Sequence, residues 1–188
     1  MANEHQPAEE LSAKGAARRR FTRAGAAASG VLLTLHSQPG MAATACASPS
    51  GFLSGTLLSH HNQAQEVCKG RTPGFWKQQH KTFPTGVDRE KLFRDIFPVP
   101  LSLKSTYGSD ECTLQHILVP KQWDFDGMGR HLASAYLNVQ MGWSSYQTVQ
   151  MLVNMWNEWA TVGYFTPTAG VKWGSYEITQ YLKSTMPL

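Results

Sequence analysis

No apolar run in this sequence is long enough to span a bilayer. The strongest, Ala24–Leu35, has 12 residues, about 18 Å as a helix against a hydrocarbon core of about 30 Å. Charge is sparse as well: 16% of residues, beside 41% hydrophobic ones, a balance that excludes a disordered chain. The formal charge of +4 is unevenly spread, because residues 1–42 carry five basic and three acidic groups and the remainder holds 12 and 10. So neutral a remainder lacks the electrostatic footprint of a nucleic-acid binder. Cysteine occurs three times, which leaves at least one thiol unpaired within a chain. There is no Gly-x-Ser-x-Gly, no Cys-x-x-Cys, no histidine pair four apart and no internal repeat, so the usual signatures of a triad hydrolase or a dedicated zinc site are missing.

The N-terminus has a clear layout. A polar segment ends in a basic cluster at Arg18, Arg19, Arg20 and Arg23, the apolar run follows, and small residues flank Met41. That order is the n, h and c pattern of a secretory signal. Ala17-Arg18-Arg19-Arg20-Phe21-Thr22-Arg23 resembles the bacterial twin-arginine signal, departing from it at Ala17 and Thr22. Residues 1–42 are therefore expected to be a signal peptide, cut after Ala42, with the protein exported to the periplasm or cell surface. A second cut lies before Cys46, but Ala43 stands where a lipidated cysteine would have Leu three positions earlier.

Residues 43–67 are rich in Ser, Gly, Ala and Asn and read as an irregular strap. The helical domain is expected over 68–188, mainly α, with about five or six helices. Thr72-Pro73 predicts a helix start, a hydroxyl N-cap followed by proline. Asp88 precedes a predicted helix over Arg89–Phe97, and another is expected over Asp110–Leu118. Asp126 is the expected cap of a helix over Met128–Met141, whose Leu132, Ala135, Tyr136 and Val139 keep helical spacing. Ser144-Ser145-Tyr146-Gln147 has capping-box form, and the helix it opens, to Val162, carries the broadest apolar face. Thr166–Gly170 reads as a loop and Ser175–Lys183 as the last helix; no strand ladder is predicted.

Between strap and helices lies Cys68–Lys81, a stretch with four basic residues and no acidic one. Export permits disulfides. A Cys46–Cys68 bridge would tie the strap down and be worth about 3 kcal/mol in the chain-entropy model; Cys112 is the alternative partner for Cys68. Lys69, Arg71, Trp76, Lys77 and His80, with Trp123, are the candidate binding residues, a basic and aromatic set suited to a sugar or a partner's surface. The candidate catalytic residues are Glu158, Asp126 and His80. Glu158, flanked by Trp156 and Trp159, has the setting a general acid needs, with Asp124 or Asp126 as its second carboxylate. A metal reading would draw on His60, His61, Glu66 and His80.

The run Cys68-Lys69-Gly70-Arg71-Thr72-Pro73-Gly74-Phe75-Trp76-Lys77 resembles a group of exported bacterial proteins sharing C-x-G-R-[ST]-P-G-[FY]-W-K. The resemblance extends through Ser48–Phe52, Met155–Glu158 and Tyr181–Met186, and departs at Gln78-Gln79, where many of the group read Asn-His. It implies location and fold and brings no activity with it. The expected function is a non-enzymatic binding or assembly module, without cofactor. Its expected partner is a polysaccharide, a cell-surface protein or a second copy, and it meets a membrane only through its export signal. The alternatives are a secreted polysaccharide hydrolase using Glu158, and a metal-binding protein.

Overall fold

The helix over Met128–Gln140 is the axis of the structure, because ten of its thirteen residues are buried. A computed structural model describes residues 46–54, 68–78 and 80–187. The chain divides between Ala42 and Ala43; the signal segment and most of the strap, with His60, His61 and Glu66, lie outside the described residues. Six α-helices are present among the described residues: α1 Pro49–Ser54, α2 Pro73–Trp76, α3 Leu114–Ile117, α4 Met128–Gln140, α5 Val149–Val162 and α6 Ser175–Ser184. One two-stranded antiparallel hairpin accompanies them, β1 Phe165–Thr168 and β2 Val171–Trp173. The expected mainly α architecture is therefore what the chain adopts, and no described helix is long and apolar enough to cross a membrane.

Helix α4 packs against α2, α3, α5 and α6. Although α5 carries the broadest apolar face, α4 is the central helix. Its residues Gly129, Ala133, Ser134 and Ala135 are small and let neighbours approach from every side, whereas α5 buries one face through Leu152, Met155, Trp156 and Trp159. Trp156 is fully buried and stands edge-on to Phe93, centroids 5.1 Å apart, while its indole N–H donates to the Pro98 carbonyl at 2.7 Å. Offset and edge-to-face rings of this kind add to the area they bury.

Several predicted elements are corrected. Arg89–Phe97 contains only a single 3₁₀ turn, Phe93–Asp95. The preceding residues are drawn out beside 112–115 by Phe93 N–H to the Cys112 carbonyl, 2.8 Å, and Leu114 N–H to the Lys91 carbonyl, 2.9 Å. These long-range bonds satisfy the backbone groups that an α-helix would have paired locally. Helix α3 starts after Thr113, whose hydroxyl accepts from His116 N–H, and Asp110 plays no part in it. Helix α5 starts after Thr148, whose hydroxyl accepts from Met151 N–H; the capping-box segment is coil, with Gln147 buried and donating to the Tyr181 hydroxyl at 3.2 Å. Thr72 holds the N-cap position of α2 without a side-chain bond, and the helix lasts one turn.

The expected loop at Thr166–Gly170 is the hairpin. Phe165 pairs with Trp173 and Thr168 with Val171, and Gly170 takes φ +80°, a turn conformation that favours glycine. Pro167 is tolerated because each strand has only one neighbour. Against this hairpin lies the described part of the strap, residues 46–54. Helix α1 contacts β1, Phe52 stands edge-on to Trp173 and Tyr181 at 5.9 and 5.6 Å, and the Tyr181 hydroxyl donates to the Ala47 carbonyl at 3.1 Å. Cys46 is bonded to Cys68; Cys112 is free and buried.

Candidate functional site

The stretch from Gly70 to Trp76 is held by one side chain of α4. Asn138, 1% exposed, accepts from Arg71 N–H at 2.9 Å and from the Trp76 indole N–H at 3.1 Å. Its amide N–H₂ donates to the Arg71 carbonyl at 3.0 Å. Gly70 fits here because it has no side chain: a Cβ would lie 2.5 Å from the Thr185 carbonyl oxygen and 3.0 Å from Asn138 Nδ2. The backbone of the cationic stretch is thus bolted to the central helix.

That bolt sorts the aromatic residues. Trp76, expected at a binding surface, is instead 0% exposed; it stacks on Trp143 with centroids 5.4 Å apart and stands edge-on to Phe83. Phe75 and Trp143 are half-buried. The Arg71 guanidinium carbon lies 5.2 Å from the Phe75 ring centre and 5.8 Å from that of Trp143. Lys81 Nζ stands 4.8 Å from the same Phe75 centre. Cations over ring faces are attracted by the ring quadrupole. Neither cation has a carboxylate partner among the described residues, where the only ion pair is Arg94–Asp110. Lys69, Lys77 and His80 are exposed around this cluster's chain segment.

The remaining candidates do not assemble. Trp123 is half-buried, edge-on to Tyr107 at 5.0 Å, on a different part of the fold from the cation cluster. Glu158 is half-buried on α5, with no hydrogen bond or ion pair among the described residues. Asp126 takes a left-handed conformation at φ 52°, and its carboxylate accepts from the Ser175 hydroxyl at the start of α6. The capping role expected of Asp126 belongs to Asp124, which accepts from Gly129 N–H at 2.7 Å, Arg130 N–H at 3.1 Å and the Tyr107 hydroxyl at 2.9 Å. Burial pushes the Asp124 carboxyl up, and the bonds from Gly129, Arg130 and Tyr107 oppose that shift. Asp124 is 6% exposed, and its bonds from Gly129 and Arg130 are those of a helix cap. Among the described residues no three of His, Cys, Asp and Glu gather as a metal site.

Two grooves lie on the described surface. One, of about 430 Å³, is lined by Pro98–Pro100 with Asn157, Ala160 and Thr161. The other, of about 500 Å³, lies beside the Arg94–Asp110 pair and Leu101. Neither is lined by Glu158, Asp126 or His80. No family model, curated protein or solved structure matches the chain.

Sequence reasoning missed Asn138, which shares its face of α4 with the buried polar residues Ser134 and His131.

Proposed function

We propose that this chain is an exported protein of the periplasm or cell surface that works as a non-enzymatic binding module, with Arg71, Phe75, Lys81 and Trp143 as its ligand-contacting face. One observation carries the reading: two cations without carboxylate partners among the described residues sit on half-buried rings, and the backbone of Arg71 is fixed by Asn138. A face prepared in this way binds without first having to order itself. Export is supported by the twin-arginine-like leader and by the Cys46–Cys68 bridge, a bond that persists in oxidising compartments. The hydrolase alternative draws no support from its second carboxylates, since Asp124 accepts from the first turn of α4 and Asp126 accepts from Ser175.

The test is a glycan array and size-exclusion chromatography of the protein, run beside an assay for polysaccharide cleavage. Binding that Arg71→Ala and Trp143→Ala both weaken, without turnover, is the expected result. Turnover that Glu158→Gln abolishes would replace this reading with the hydrolase. Fractionation of cells carrying Arg18→Lys with Arg19→Lys addresses export; the wild-type chain should leave the cytoplasm and the variant should stay there.

A further inference from the structure

Resting on the binding-module reading, we infer that the ligand is an acidic polysaccharide, its carboxylates on Arg71 and Lys81 and its uncharged ring faces against the exposed parts of Phe75 and Trp143. The two cations lie 5.2 and 4.8 Å from one ring centre, so they are no more than about 10 Å apart and a single polyanion reaches both. Lys69 and Lys77 are exposed on the same stretch, which contains no acidic residue between Cys68 and Lys81. The Arg71 guanidinium makes no hydrogen bond among the described residues, because Asn138 binds only its backbone. Its planar fork is therefore available to a carboxylate.

Other polyanions fit less well. Single-stranded nucleic acid binds by stacking bases on free ring faces, but one face of Trp143 is covered by Trp76, and Phe75 carries Arg71 and Lys81. An acidic protein surface would need an apolar centre within a patch of about 800 Å². Of the large exposed apolar side chains, only Met141 belongs to the segments that build this face. A chain of uronic acids asks for less: regularly spaced carboxylates and pyranose C–H faces that lie against ring edges.

Titration of the full chain with polygalacturonate, with dextran and single-stranded DNA as comparisons, tests this. Polygalacturonate should bind, and added salt should weaken it, because Arg71 and Lys81 are only half-buried and Lys69 and Lys77 are exposed beside them. Arg71→Met with Lys81→Met should raise Kd about tenfold, equivalent to about 1.4 kcal/mol, with near-UV circular dichroism unchanged. Arg71→Lys with Lys81→Arg should stay within a few-fold of wild type, and Lys104→Met, remote from the face, should have no effect. Should Arg71→Met fail to fold, Lys81→Met alone should still weaken binding about threefold. Absent binding, a double variant that binds as wild type, or tighter binding to DNA overturns the inference. Equal affinity for dextran that only Trp143→Ala weakens would overturn the acidic ligand and keep the binding module. No glycan binding together with turnover would remove both.

Discussion

Asn138→Ala should be among the most damaging single substitutions on the central helix, although it removes few atoms. It leaves three groups without their partner: Arg71 N–H, the Arg71 carbonyl and the Trp76 indole N–H. An orphaned buried polar group costs about 1–3 kcal/mol. The Trp76 N–H is fully buried and bears the larger share, while the two Arg71 groups are half-buried and recover part of their loss from water. The sum is about 3 kcal/mol, a large fraction of the roughly 5–15 kcal/mol that holds a domain together. Urea unfolding followed by far-UV circular dichroism reads this directly. Hydrogen exchange of the Arg71 amide locates it, since that amide should lose protection ahead of the helices. Combining Asn138→Ala with Trp76→Phe should show about 1 kcal/mol of coupling. A loss below about 1 kcal/mol with Arg71 still protected would refute the claim that Asn138 holds the stretch.

Further outcomes follow from other parts of the structure. Gly70→Ala should destabilise by more than about 2 kcal/mol, because its Cβ meets the Thr185 carbonyl and a packed interior yields only through backbone shifts. Gly74→Ala, whose Cβ touches only Thr72 Oγ1 at 3.5 Å, should be neutral or stabilise by up to about 1 kcal/mol through helix propensity; equal thermal midpoints for the two variants would contradict this. His131 donates from Nδ1 to the Gly127 carbonyl at 2.7 Å, and burial, with Arg130 and Lys183 adding to it, lowers its pKa from 6.5 to about 4. The unfolded chain then takes up this proton first, so about 3 kcal/mol present above pH 6.5 is lost as pH falls towards 4. Asp124, shifted upward by burial, works in the opposite sense. Urea midpoints across pH 4–7 should therefore slope less in His131→Asn than in wild type, and parallel profiles would refute the assignment. Finally, burial raises the Cys112 thiol to about 12, so a thiol reagent should find no reactive group in the native protein and one after denaturation. Non-reducing peptide mapping should recover Cys46 joined to Cys68, and a Cys68–Cys112 peptide would overturn the pairing.

Local patterns in this chain were legible wherever the deciding interactions are themselves local. Helix α4 and helix α6 follow their apolar spacing, α5 ends at Gly163 with φ +84°, and proline starts α2 because its own ring sets φ. The Cys46–Cys68 bridge was readable as the more useful pairing for a strap with little core of its own. Local reading failed where distant residues supplied the partner. Arg89–Phe97 has helical spacing, but backbone bonds to Cys112 and Leu114 pull most of it out of a helix. Asp126 and Asp124 are equally plausible caps by position, and only the bonds to Gly129, Arg130 and Tyr107 choose between them. The division is sharpest at the cationic stretch. Its four basic residues, its aromatic pair and its lack of acid are properties of sequence. Which ring is buried, which carries cations and which backbone groups are held rigid depend on Asn138 and Trp143, 62 or more residues further along. Composition alone determines that this stretch is cationic and aromatic; packing against α4 decides that Trp76 belongs to the core and leaves Arg71 half-buried over Phe75.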